Sequence, residues 1–150
     1  MARKRGDDAL LLGNQLCFAV YSTAHAFNRV YKPLLDALGL TYPQYLVMLC
    51  LWERDGQAVK ELGELLHLDS GTLTPLLKRL EAAGLVRRAR DAADERQVRI
   101  HLTAAGRSLR EKARAVPLSI LCASGRTSDE LKALQKELAS LRDRLNAASV

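Results

Sequence analysis

The sequence predicts a mainly α fold that carries one small β-hairpin. Three observations lead there. Apolar residues recur at steps of three and four along most of the chain, the period of helices with one buried face. That period gives way to rough alternation within residues 85–102. Two short helical stretches joined by a tight, glycine-containing turn stand immediately before the alternation. The chain has 150 residues, 48% apolar and 27% charged, which suits one soluble globular domain with extensions and excludes collagenous, low-complexity or disulfide-dense classes. No apolar run reaches the roughly 18 residues of a membrane span. The basic start Met1-Ala-Arg-Lys-Arg5 is followed by Gly6-Asp-Asp8. With no apolar core after it, no signal peptide is expected, and a cytoplasmic location is.

Taken in order, the first series is Leu16, Val20, Ala24, Phe27, Tyr31, Leu34, Leu35 and Leu38, an amphipathic helix. Pro33 should kink or interrupt it after Tyr31, and Gly39 ends it. Thr41 caps a second helix with Pro43 in its first turn. Leu46 to Trp52 is apolar all round, so this helix is expected at the centre. Arg54-Asp-Gly56 breaks it. Val59 to His67 forms a short helix and Leu68-Asp-Ser-Gly71 the turn. A further helix follows from Thr72 to Ala83, stopped by Gly84. Pro75 fits if Thr72 is the effective N-cap, or if the first turn is distorted. Leu85–Arg90 and Gln97–Leu102 are the two strands, and polar Asp91-Ala-Ala-Asp-Glu-Arg96 is the hairpin tip. Thr103 caps a helix over residues 104–116, bounded by Pro117. Residues 117–126, with Cys122, look less regular. Thr127-Ser-Asp-Glu130 is a capping box. Leu131, Leu134, Leu138, Leu141 and Leu145 then form a narrow seam at 3-4-3-4 spacing. Such a stripe needs a second helix, and a dimer interface is favoured over packing on the chain's own first helix.

The charge is +6, from 23 Lys/Arg and 17 Asp/Glu. Residues 70–114 hold 11 Lys/Arg against 5 Asp/Glu, so this one stretch carries the whole surplus. A localised basic surface fits a polyanion. A helix-turn-helix followed directly by a hairpin is a winged helix, here over residues 57–103, and it coincides with the basic stretch. That coincidence points to double-stranded DNA. The second helix would enter the major groove. Ser70, Thr72, Thr74, Lys78 and Arg79 lie on or near its outward face: hydroxyls for base edges or phosphates, cations for phosphates. Arg96 at the tip could enter a minor groove, with Asp94 orienting its guanidinium. Arg87, Arg88, Arg90 and Arg99 would add phosphate contacts. Residues 8–40 and 104–150 remain for dimerisation.

The motif Leu73-Thr-Pro-Leu-Leu-Lys-Arg-Leu-Glu-Ala-Ala-Gly-Leu-Val86, then Asp94-Glu-Arg96 and Leu102-Thr-Ala-Ala-Gly106, resembles the MarR family of winged-helix regulators. Two further segments resemble its organic-hydroperoxide-sensing branch. They are Gln15-Leu-Cys-Phe-Ala-Val-Tyr21 and the run Tyr31-Lys-Pro-Leu-Leu-Asp-Ala-Leu-Gly-Leu-Thr-Tyr-Pro-Gln-Tyr-Leu-Val47. The resemblance spans nearly the whole chain. It implies a repressor homodimer that holds operator DNA when reduced, with Cys17 as sensor and Tyr31 and Tyr42 as hydrogen-bond donors to its thiolate. It also implies Cys122 of the partner subunit as the resolving thiol of an intersubunit disulfide.

Residue chemistry bears on these implications. Peroxide is attacked by thiolate, and an ordinary thiol of pKa about 8.5 is mostly protonated at neutral pH. Phenol hydroxyls can stabilise the anion, and all four tyrosines lie within residues 21–45. Tyr31, however, stands 14 residues after Cys17, about 21 Å along a helix at 1.5 Å per residue. Either the helix breaks between them, or Tyr31 serves the partner's Cys17, and the second is expected. Leu16, Phe18 and Val20 favour a greasy organic hydroperoxide. Cys50 reads as an inert core residue. A disulfide would need Cα atoms within about 7 Å. The histidines at 25, 67 and 101 lack metal spacing, no P-loop or Ser/His/Asp set appears, and no cofactor, metal or enzyme activity is expected. Two alternatives stay open: a repressor released by a phenolic ligand, and a thiol peroxidase with incidental charge.

Overall fold

The computed structural model describes residues 8–149. The basic start Met1–Arg5 and the final Val150 lie outside the described residues. The chain divides into two compact units after Arg114.

In the first unit two 3-10 turns, Asp8–Leu10 and Leu12–Asn14, precede helix α1, Leu16–Asp36. The turns are held by side chains: Asn14 Nδ2 donates to the Asp8 carbonyl and Gln15 Nε2 to that of Ala9, both at 2.6 Å. The predicted interruption at Pro33 does not occur, because α1 runs through it to Asp36. Proline removes one donor, the partner of the Arg29 carbonyl. Arg29 is exposed, so water can replace that bond. Gly39, at φ +69°, turns the chain, and the Leu40 N–H donates back to the Leu35 carbonyl at 3.0 Å. Thr41 then caps α2, Tyr42–Glu53, in a full capping box with Gln44. As expected α2 is central: Tyr45, Val47, Met48 and Leu51 are buried. Leu46, Cys50 and Trp52 are half-buried, and Leu49 is 40% exposed.

Helix α3, Val59–Leu66, ends on His67, a non-glycine residue at φ 55°. Helix α4 spans Ser70–Ala82 and is capped by Asp69, whose carboxylate accepts the Thr72 N–H at 2.7 Å. Thr72 is therefore not the cap. The negatively charged Asp69 takes that place, and Pro75 sits inside the helix. The bond it forfeits belongs to the carbonyl of exposed Gly71. Leu62, Leu73, Leu77 and Leu80 join α3 to α4 with essentially no exposure.

The wing is strand β2, Val86–Arg90, against β3, Val98–Leu102, in register from Val86↔Leu102 to Arg90↔Val98. A third strand escaped the sequence reading. Gln57–Ala58, β1, pairs with β3 at Ile100 and Arg99, giving the order β1-β3-β2. Two residues are too few to show alternation.

Helix α5, Ala104–Ala113, is capped by Thr103. Around its start the backbone is unusually close. The Thr103 N–H donates to the Leu85 carbonyl at 3.1 Å and its hydroxyl to that of Gly84 at 2.6 Å. Trp52 Nε1 donates to the Gly106 carbonyl at 2.9 Å. A Cβ on Gly106 would lie 2.1 Å from the Leu85 oxygen.

In the second unit, residues 117–126 are more regular than expected. Helix α6 spans Ala115–Ser124 and contains Cys122. Pro117 does not bound the preceding helix. It stands in the first turn of α6, where its missing N–H matters little, and the break falls at Arg114. Helix α7, Ser128–Ala148, begins with the predicted capping box of Thr127 and Glu130. Its leucine seam is partly uncovered: Leu134, Leu138 and Leu145 are 53%, 44% and 59% exposed, while Leu131 and Leu141 are half-buried.

Replacing Gly106 by alanine is expected to destabilise the first unit by about 3 kcal/mol or more, since backbone must move to admit the methyl group. Urea midpoints of the two proteins measure it, and an unchanged midpoint refutes the close approach.

Candidate nucleic-acid interface and thiol site

The buried leucines of α4 fix which side faces outward. At 100° per residue, the centre of the outer face is Gly71, Pro75, Lys78 and Ala82, all exposed. Ser70 and Thr74 form one flank, Thr72 and Arg79 the other. Of the five predicted contact residues on this helix, Ser70, Thr72, Lys78 and Arg79 are exposed, while Thr74 is half-buried against the wing. Lys78, Arg79, Arg87 and Arg96 form no ion pair among the described residues.

The wing uses several of its charges on itself. Glu81, near the end of α4, accepts the Arg88 N–H at 2.8 Å and the Arg88 Nε at 3.2 Å. Those hydrogen bonds hold the Glu81 carboxyl below the usual range. Asp91 is lowered likewise, first by the Ala93 N–H and then by its bond to Arg99. Arg99 also donates to the Gly56 carbonyl at 2.9 Å, and Arg90 to that of Glu95 at 2.9 Å. Asp55 accepts the Leu102 N–H at 2.8 Å. Arg88, Arg90 and Arg99, expected as phosphate contacts, thus brace the wing. Asp94 departs from expectation too. It accepts the backbone N–H of Arg96 at 3.1 Å and so shapes the tip instead of orienting the guanidinium. Arg96 itself is exposed.

Cys17 is exposed and second in α1, within the first turn, where a helix favours negative charge. Because α1 is continuous from Leu16 to Asp36, the alternative of a broken helix is removed. Cys17 and Tyr31 of one chain stand about 21 Å apart along the axis. Tyr31 and Tyr42 do meet each other, with ring centroids 4.9 Å apart. Tyr45, absent from the predicted site, completes the cluster at 6.0 Å from Tyr31 and 6.5 Å from Tyr42. Burial, then the neighbouring phenols, push Tyr31 up to about 12. Burial raises Tyr42 and Tyr45 as well. All three remain protonated donors throughout the neutral range. Cys50, expected in the core, is only half-buried, and its thiol is raised, chiefly by burial. Cys122 is exposed on α6. Among the described residues no His/Cys/Asp/Glu group could hold a metal ion, and no helix is long and apolar enough to cross a membrane.

Residues 29–113 match the model of the transcriptional regulator SarA/Rot family. The chain belongs to the SarA/Rot/MarR-type family of winged-helix transcriptional regulators. It is 58% identical over 147 residues to the HTH-type transcriptional regulator TtmR of Methylorubrum extorquens, covering 98% of this chain and 75% of that one. It is also 49% identical over 139 residues to the organic hydroperoxide resistance transcriptional regulator of Bacillus subtilis, covering 93% and 95%. Among solved structures, AbfR of Staphylococcus epidermidis superposes with a TM-score of 0.78 at 39% identity, covering 96% of this chain and 99% of that one. AbfR has also been solved reduced and bound to DNA, with TM-score 0.72, 40% identity and coverage of 89% and 94%. Its disulfide form gives TM-score 0.63, 40% identity and coverage of 91% and 96%.

The tyrosine cluster has a signature in alkali. A phenol whose folded value lies above its unfolded one adds stability that is complete below the unfolded value and lost as pH rises through the folded one. For Tyr31 that window runs from 10.0 to about 12. Stability should therefore fall across it, and Tyr31→Phe should flatten the fall. Urea unfolding as a function of pH measures both, and equal slopes would refute the assignment.

Proposed function

We propose that this chain is a redox-sensing repressor that acts as a homodimer. It holds operator DNA while Cys17 is reduced and releases it when an organic hydroperoxide oxidises Cys17. The observation that carries the reading is one chain uniting a winged head, with uncommitted cations on its outer face, and an exposed thiol in the first turn of α1. The hydroperoxide comes from the Bacillus relative's role, and DNA from the DNA-bound AbfR. A dimer is supported by apolar surface that the chain alone leaves open: Leu16, Phe18, Val20 and Tyr21 on α1, and the seam on α7. On this reading the helices within 8–40 and 104–150 cover one another between copies. Tyr31 and Tyr42 of one subunit then serve Cys17 of the other.

The chemistry balances without a cofactor. The Cys17 thiolate attacks one peroxide oxygen; an S–O bond forms, the O–O bond breaks, and the alkoxide leaves and takes up a proton as the alcohol. The Cys17 sulfenic acid then condenses with Cys122 of the partner subunit, forming the disulfide and releasing water. Drawing these residues to disulfide distance would move the helices bearing them and shift the two reading heads off successive grooves. In the DNA-bound state Ser70, Thr72, Thr74, Lys78 and Arg79 face the major groove. Arg96 enters the minor groove from a tip shaped by Asp94, while Arg88 acts through the wing's geometry. Small Gly71, Pro75 and Ala82 let the helix approach closely.

The test is DNA release. Wild type bound to a duplex selected from a random pool should dissociate on adding cumene hydroperoxide, and Cys17→Ser should stay bound. Release of the serine variant refutes the reading. Release by a phenolic ligand alone would favour a ligand-gated repressor, and steady turnover with added thiol a peroxidase. On a nonreducing gel a covalent dimer should form only when Cys17 and Cys122 are both present.

A further inference from the structure

A cleft of about 340 Å³ lies between α3, α4 and the wing. Lys60, Thr74, Arg88, Arg96 and Gln97 line it over an apolar floor that includes Leu77. These side chains differ in what they are free to do. Arg88 is held by Glu81. Arg96 projects from the exposed tip. Lys60, from the first turn of α3, is exposed and forms no ion pair among the described residues. The acids near it do not neutralise it: Glu61 is paired with Arg54, and Glu64, one turn on, is not within salt-bridge distance. Thr74 offers a hydroxyl and Gln97 an amide, both neutral. Two cations unpaired among the described residues, Lys60 on the α3 side and Arg96 on the tip side, together with two neutral donors around a concavity, suit a phosphate oxyanion.

The cleft's position says which oxyanion. On the reading above, α4 occupies the major groove and the wing tip the adjacent minor groove. What separates those grooves is one phosphodiester strand, and the cleft lies between the two reading elements. We propose that this cleft seats one backbone phosphodiester of that strand, with Lys60 as its cation on the α3 side and Thr74 and Gln97 as neutral donors. The inference rests on the DNA-binding reading and adds a contact on α3 to it. Lys60 sets the register of the wing on the duplex and carries no base information.

Counterion release provides the test, on the full-length reduced protein. Affinity for a mixed-sequence duplex and for one selected from a random pool is measured against salt concentration. Neutralising one phosphate contributes about 0.9 to the log–log slope. Lys60→Met removes one such contact from each of the two reading heads, so it should lower the slope by about 1.8 on both duplexes, equivalent to about 60-fold weaker binding at 0.1 M salt. Gln97→Ala should weaken binding on both while leaving the slope alone. Lys60 is exposed, so thermal unfolding should not change. Wild-type slope and affinity in Lys60→Met overturn the proposal while leaving the DNA reading intact. Failure of the reduced wild type to bind either duplex overturns both. A third arm titrates inorganic phosphate without DNA: millimolar binding that depends on Lys60, with no effect of Lys60→Met on duplex binding, assigns the cleft to a free anion and overturns it too.

Discussion

The close approach of Leu85 and Gly106 is the constraint on which the rest of the first unit depends. The carbonyl that forbids a Cβ at Gly106 is the one that accepts the Thr103 N–H. Thr103 is also the cap of α5 and the donor to Gly84. Trp52 reaches across from α2 to the Gly106 carbonyl. Four junctions are therefore fixed together: the end of α4, the start of β2, the end of β3 and the start of α5. At Leu85 the contacts with Thr103 and Gly106 are between backbones, so little rotamer freedom remains there to absorb a change. The angle at which the wing leaves the reading helix follows from this knot, before any surface charge acts.

Charge then refines the wing. The five acidic residues of segment 70–114 look like dilution of a basic surface. Three of them instead face inward to the wing: Glu81 on Arg88, Asp91 on Arg99, and Asp94 on the Arg96 amide. Exposed pairs of this kind add little stability singly. Their effect is geometric, since they hold the strands and tip in one arrangement ahead of any partner. The cations left outside are fewer than the sequence count and better placed. Binding through a prepared surface avoids the entropy of ordering a loop at the moment of contact.

Most of the element order was legible from local signals, and the failures share a physical origin. Caps at Thr41, Thr103 and Thr127 announced their helices because the bonds are made within three residues. Pro33 and Pro75 misled because proline's damage depends on whether the orphaned carbonyl can reach water, a tertiary fact. Asp69 displaced Thr72 as the cap because its carboxylate, three residues earlier, accepts the Thr72 N–H. β1 was invisible because its strand character comes from β3. In the candidate site, Cys17, Tyr31 and Tyr42 were legible through motif. Tyr45 was not, since its membership is a matter of ring contacts. Nor could a count of arginines tell bracing Arg88 and Arg99 from exposed Arg87 and Arg96. The bracing partners Glu81 and Asp91 lie seven and eight residues away: Glu81 meets Arg88 once β2 packs against α4, and Asp91 meets Arg99 once the hairpin has formed.

The unbroken course of α1 has one more consequence. A rod that keeps Cys17 and Tyr31 apart makes the proposed sensing site a product of two chains. Such sites obey the logic of complementation. Consider a mixed dimer of one chain lacking the thiol and another lacking the phenol. One of its two sites would lose both groups and the other neither. Half the sensing capacity would thus return in a mixed dimer of two chains that, as homodimers, each lack half of every site. A single helix, simply by staying straight, would turn a chemical switch into a census of partners.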